Sequence, residues 1–398
     1  MELLIKILSA AGVLSVLIFV HEFGHFWVAK RCGVGVLKFA IGFGPTILKL
    51  RRGETTYQIG IIPLGGFVRM VGDMPDQITG AEATDEMVLE ENPEDADLSE
   101  EQKKLLLDKD RWFVNKSVAQ RAAIVFAGPA INFIFAFLVA AFLAGSYGLE
   151  KPVDGAVVGK VMPSSPAEVA GLAEGMTITS ISGKPVSTWK EVVGIVHEGE
   201  GVPLSFEVLQ DGAAKTIVVT PEKQEVETGL GTKKNVFLVG INQKKIREVY
   251  PIGSAISKGF EWTYLSTVGT LEGLWGIFSG AVSHKELAGP IYILKSAGDQ
   301  AAKGFEAVLQ FTAILSVSLA VFNLLPVPML DGGHLFFFLL EACNIKLSMK
   351  FKDRAQKVGF SLLMLLVLFS LANDLTRAEP KKPKELTWKT QAGQPAPA

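Results

Sequence analysis

His21 and His25 stand four residues apart with Glu22 between them, an HExxH pattern. On a helix that spacing turns both imidazoles to one face, where they can grip a single zinc ion. Glu22 would lie beside the ion, placed to take a proton from water as a general base. The setting is not that of a soluble enzyme. Glu22 is the only carboxylate between Lys6 and Lys30, and residues 7–20 (ILSAAGVLSVLIFV) carry no charge. Ionisable groups are costly at membrane depth, so their presence there predicts a functional site. The chemistry expected is zinc-assisted hydrolysis inside a bilayer.

A catalytic zinc usually takes three protein ligands and keeps one position open. The arrangement HExxHxxGxxH is excluded, because its third ligand position holds Arg31. Only His197, His284 and His334 remain among the five histidines. The strongest candidate is instead Asp331, in the run Asn323-Leu-Leu-Pro-Val-Pro-Met-Leu-Asp331-Gly-Gly-His334, with His334 as its rival one helical turn later. Pro326 and Pro328 must break any helix here and expose backbone groups, which a membrane protein tolerates only where protein or a wet cavity satisfies them.

These residues need elements to position them. The chain has 398 residues, 48% of them hydrophobic, and a mean hydropathy of +0.32, which implies several spans plus soluble parts. Four stretches meet the requirement of about 20 apolar residues: 4–28, 122–149, 307–330 and the shorter 358–373. A signal peptide is a poorer reading of the first, because the uncharged run leads directly into HExxH. Residues 273–284 are too short to span and read as an interfacial helix. Lys30, Arg31, Lys38, Lys49, Arg51 and Arg52 follow span one; Lys116 and Arg121 precede span two; five more cations lie in the loop before span four. With four spans these clusters share one side, the cytoplasmic one, although Arg377, Lys381, Lys382 and Lys384 dissent. Spans one and three then run in the same direction. HExxH and Asp331, near the ends of those spans, can meet toward the cytoplasmic leaflet. A net charge of −2 gives no reason to expect a nucleic-acid partner, and two cysteines form no disulfide framework.

At this point the chain resembles the site-2 protease family of intramembrane zinc metalloproteases (peptidase M50), of the bacterial RseP/RasP type. The resemblance rests on HEFGH at 21–25, Gly42-Phe43-Gly44-Pro45, PLGGFVRM at 63–70, Gly128-Pro129-Ala-Ile-Asn132 and the Asn323 to Gly333 segment. It implies that His21, His25 and Asp331 bind Zn2+ and that Glu22 is the catalytic base. It also implies substrate-binding roles for Asn323, Asn132, Gly42 and Gly44. Residues 34–70 look like the family's membrane-associated β-hairpin, which could pair with an unwound substrate. Residues 151–224 are similar to a bacterial PDZ domain, expected outside the cytoplasm and able to read a C-terminal peptide.

The expected fold is therefore a polytopic α-helical membrane protein with four transmembrane helices, a membrane-associated β-hairpin and an inserted α+β PDZ domain. Its parts are the first span and hairpin (1–72), an acidic cytoplasmic insertion (73–117), span two (118–149) and the PDZ domain (151–224). A linker with interfacial helices (225–306), spans three and four (307–378) and a disordered tail (379–398) complete it. From Asp73 to Glu101 the insertion has twelve carboxylates and no Lys or Arg; its last residues, 101–108, read as helical. By resemblance, the protein sits in the bacterial cytoplasmic (inner) membrane, within the lipid bilayer. Its substrates there would be single-span membrane proteins such as anti-sigma factors, or remnant signal peptides. A metal-free scaffold and a transporter are the rival classes; the intact HExxH opposes the first and the lack of internal repeats the second.

Overall fold

The computed structural model describes residues 2–72, 98–227, 233–283, 287–345 and 347–376. The acidic stretch up to residue 97, His284 and the tail from residue 377 lie outside the described residues. In chain order, α1 (Glu2–Arg31) leads to β1 (Val36–Arg52), β2 (Thr55–Met70), α2 (Glu100–Leu107) and α3 (Val118–Ser146). A β-rich insert follows, with β3 (Leu149–Pro152), β4 (Val158–Val161), α4 (Pro166–Val169), β5 (Thr177–Ile181), β6 (Lys184–Pro185) and α5 (Trp189–Glu198). It continues with β7 (Leu204–Gln210), β8 (Ala213–Val219), β9 (Glu222–Glu227), β10 (Lys233–Leu238), β11 (Ile241–Gln243) and β12 (Lys245–Glu248). The chain ends in α6 (Ile252–Phe278), α7 (Pro290–Lys303), α8 (Phe305–Asn323), α9 (Asp331–Ala342) and α10 (Met349–Thr376).

Among the described residues, four helical segments are long and apolar enough to cross a membrane: Lys6–Arg31, Val118–Ser146, Phe305–Asn323 and Lys350–Thr376. This is the multipass architecture expected from hydropathy. Two boundaries differ. The third helix stops at Asn323 rather than continuing to 330, because Pro326 and Pro328 cannot donate backbone hydrogen bonds. Residues 324–330 form a turn, and a separate helix starts at Asp331. The interfacial helix expected at 273–284 is instead the end of the 27-residue α6.

The helical unit holds together by close approach at small residues, the usual means where lipid removes the hydrophobic drive between helices. A Cβ on Gly24 of α1 would strike the Ala127 carbonyl of α3. Gly259 of α6 sits against Ala141, and Gly298 of α7 against Lys6, whose ammonium is 3.5 Å from Asp299. The N-terminus of α7 has no side-chain cap of its own. Asp374 of α10 supplies one, accepting from the Gly289 and Tyr292 amides at 3.0 Å each.

The region from 34 to 70 is more than a hairpin. Val36–Ile41 pairs antiparallel with Gly66–Met70 and also runs alongside Thr56–Ile59 in the same direction, while Thr46–Arg52 folds back onto Thr55–Gly60. The two long strands thus yield four paired segments. Gly42 and Gly44, both at φ +82, allow β1 to reverse at a point where an L side chain would be strained. Helix α2 seals one end of this sheet, beginning with a Ser99–Gln102 capping box. Leu105 and Leu106 bury against Leu37 and Val71. The Gln102 amide donates to the Leu37 and Glu54 carbonyls and to the Thr56 hydroxyl.

The insert is a second compact unit running from Gly145 to Tyr250, with further short segments assigned to it. Its centre is an antiparallel sheet of order β6-β5-β7-β8. The core includes Val158, Ile178, Ile181, Phe206 and Val208, and extends to Val239. The unit therefore passes the boundary at 224 read from the sequence, because β11 pairs with β4 and β12 with β3 across long sequence separations. Amphipathic α5 opens with a Thr188–Glu191 capping box and buries Val192 and Val196. A groove beside it is lined by Met162, Trp189, Val193, His197, Leu238 and Ile241.

Candidate metal centre

His21, Glu22 and His25 occupy the last three turns of α1, where no proline or second glycine interrupts the helix. The His21 and His25 Nε2 atoms are 3.2 Å apart, both rings being largely buried. Asp331, the first residue of α9, brings its Oδ2 to 3.3 Å from His21 Nε2 and 3.6 Å from His25 Nε2. Oδ2 is buried and makes no hydrogen bond among the described residues, despite these approaches. Three atoms each about 2.0–2.1 Å from a tetrahedral ion would be separated by roughly 3.3–3.4 Å. The observed triangle fits zinc closely, and the donor set of two imidazoles and one carboxylate is one that zinc favours. Among the described residues these three form the group able to hold a metal.

Helix α3 adds no ligand but holds both rings. The Ile124 carbonyl accepts from His25 Nδ1 at 2.9 Å, which fixes that proton and leaves Nε2 free to bind a metal. One turn on, a Cβ at Gly128 would overlap His25 Nε2 and come within 2.9 Å of His21 Cε1. Another turn on, the Asn132 amide meets His21 Nδ1 at 3.1 Å. Residues 124, 128 and 132 thus form one face of α3 fitted to the two histidines. The Ser316 hydroxyl of α8 donates to the Asn132 carbonyl at 2.9 Å, tying the third membrane helix to the same place.

Asp331 is positioned by its own turn. Cβ atoms on Gly332 and Gly333 would collide with the backbone of Leu324, Leu325 and Val327, so the pair lets α9 start hard against the broken segment. Met329, two residues earlier, is held at φ +84, a strained conformation of the kind stored at functional sites. At the far end of α9, Glu341 forms a two-pronged ion pair with Arg121 of α3, at 2.7 and 3.2 Å.

Glu22 lies within electrostatic range of His25, His21 and Asp331. Its methylene is 3.0 Å from where a Cβ on Gly66 would stand, so β2 presses directly on the face carrying Glu22. Of the residues singled out from sequence, His21, His25, Asp331 and Asn132 come together, with Glu22 alongside. Asn323 ends α8, and Gly42 and Gly44, which carry no side chain, shape the bend of β1; among the described residues the Asn323 side chain makes no hydrogen bond to the cluster. His334 follows Asp331 by one turn and is not part of the ligand triangle. Gly66, the Ile124 carbonyl, Ser316 and the Arg121–Glu341 pair were missed. The double glycine inside a β-forming run was the available signal for Gly66; a backbone carbonyl leaves none.

Comparison with known proteins bears on this centre. The zinc metalloprotease RasP of Geobacillus kaustophilus is 32% identical over 426 aligned residues, covering 94% of this chain and 99% of that protein. The zinc metalloprotease RasP of Oceanobacillus iheyensis is 31% identical, covering 91% and 97%. The profile of peptidase family M50 matches residues 9–366, a range that contains every residue of the ligand triangle, and the chain belongs to that family.

Proposed function

We propose that the protein is an intramembrane zinc endopeptidase that cuts the membrane segments of single-span proteins. The observation that carries this reading is the convergence of His21, His25 and Asp331, contributed by helices some 300 residues apart, on a triangle of zinc-binding size. His21 and His25 would hold the ion through Nε2 and Asp331 through Oδ2. The chemistry zinc supplies when bound is Lewis-acid polarisation of water and of the scissile carbonyl. Glu22 accepts the proton of the attacking water and returns it to the departing amide nitrogen. The four-segment sheet supports a role in holding an unwound substrate, since a helical segment hides its own backbone from attack. Asn323, Gly42 and Gly44 remain the candidates for substrate contact.

Basic residues near the span ends support a site close to the cytoplasmic leaflet and an insert on the outer side. The insert's groove between α5 and residues 238–242 supports a peptide-reading role of the PDZ kind, suited to the C-terminus of a substrate already trimmed outside the membrane. Anti-sigma factors and remnant signal peptides are substrates of that kind. The test is cleavage of a single-span substrate by purified protein in detergent, comparing wild type with Glu22→Gln. Cleavage by wild type alone, with equal zinc in both, supports the reading; equal behaviour of the two removes Glu22 from its role.

A further inference from the structure

We infer that Asn132 is a positioning residue that orients the His21 ring toward the metal and fixes its tautomer, rather than a residue that touches substrate. Asn132 has no solvent exposure, so its side chain offers no surface for a substrate to touch. Its Nδ2 lies 3.1 Å from His21 Nδ1, and its Oδ1, equally buried, has no partner among the described residues. An unpartnered buried amide oxygen is costly, and here it sits on the same amide that faces a ring nitrogen.

Metal binding decides which end of the amide must face the ring. A metal on His21 Nε2 leaves the ring proton on Nδ1, which then requires an acceptor. A half-turn of the Asn132 amide presents Oδ1 to that proton. The oxygen gains its partner, the NH2 group takes the oxygen's former place, and His21 is held with its Nε2 lone pair toward Asp331. His25 already has the matching arrangement, with Nδ1 donating to the Ile124 carbonyl. Residues 124 and 132 lie two turns apart on one face of α3, with Gly128 between them giving the rings room. One helix that ligates nothing thereby sets both imidazoles. Ser316, by bonding the Asn132 carbonyl, holds that face in place from α8.

The inference rests on the zinc reading, and the experiment separates the two. Purified wild type, Asn132→Leu and Asn132→Asp are compared for zinc affinity by chelator competition. The visible spectrum of the cobalt-substituted protein is recorded for each, with thermal stability measured alongside. Leucine keeps the volume but removes the acceptor; aspartate restores a stronger one. Loss of such an outer partner typically weakens metal affinity by about 10- to 100-fold. Asn132→Leu should show that loss and an altered cobalt spectrum, while Asn132→Asp should match or exceed wild type in affinity. A purely structural role would lower thermal stability without the rescue of affinity by aspartate, and would overturn the assignment. So would wild-type affinity and spectrum in Asn132→Leu accompanied by a raised KM, which would make Asn132 a substrate contact. Failure of wild type to bind zinc at all would instead sink the underlying zinc reading.

Discussion

Adding one methyl group at Gly128 should disable the centre while leaving the fold standing. The new Cβ would overlap His25 Nε2 and stand 2.9 Å from His21 Cε1. Favourable contact begins near 3.5 Å, so the His25 ring must retreat by about 1.2 Å and the His21 ring by about 0.6 Å. Ligand distances in metal sites hold to within about 0.2 Å, and a misplacement of about 1 Å costs roughly 100-fold in rate. Stability moves much less. Alanine gains about 1 kcal/mol over glycine within a helix, against about 1–3 kcal/mol for overpacking, a net loss of about 0–2 kcal/mol. Gly128→Ala should therefore remain folded in detergent, bind zinc weakly and cleave a single-span substrate at about 1% of wild type or less. Gly12→Ala is the control, since its Cβ meets nothing within 4 Å on α1. Full zinc and near-normal cleavage in Gly128→Ala would refute the view that α3 is fitted to the two rings.

The Arg121–Glu341 pair should be coupled to catalysis at a distance. In a double-mutant cycle of Arg121→Met and Glu341→Gln on thermal stability, the part-buried, two-pronged geometry predicts a coupling of about 1–3 kcal/mol, with reduced kcat as α9 loosens; additive effects would show the pair to be incidental. In the turn between β1 and β2, burial disfavours the charge on Glu54, but hydrogen bonds from Arg111 and Lys30 outweigh it and hold the carboxyl below its ordinary value. A depressed carboxyl stabilises the fold above its unfolded pKa, and that stability is lost as pH falls through the folded value. Thermal melting of wild type should accordingly fall more steeply below about pH 4.5 than that of Glu54→Gln, and parallel curves would exclude Glu54 as the cause.

The chemistry was legible because it lies in spacing. His21 and His25 need only a helix to share a face, and uncharged runs bounded by Arg121, Glu306 or Lys357 declare themselves as spans. Expected spans one and three run in the same direction, which lets Asp331 meet HExxH, and the family resemblance favours it over His334. What stayed hidden depends on pairing between distant residues. The register that makes four segments from β1 and β2, and the joining of β11 to β4, are set by tertiary contacts that no local pattern records. Helix α6 is longer than its apolar pattern suggests because Thr263, Ser266, Thr267 and Thr270 interrupt that pattern, while the Thr263, Thr267 and Thr270 hydroxyls bond back to their own helix carbonyls. The family motif marks Asn132 for a substrate-binding or site-shaping role, and its burial and its contact with His21 are tertiary facts that no local pattern records.

The most direct test of the centre is zinc content per chain, measured by elemental analysis on wild type, His25→Ala and Asp331→Ala purified in detergent. One zinc in wild type, with most of it lost in both variants although they lie some 300 residues apart, is the expected result. Full zinc in Asp331→Ala would contradict it, since the third ligand would then have to come from elsewhere.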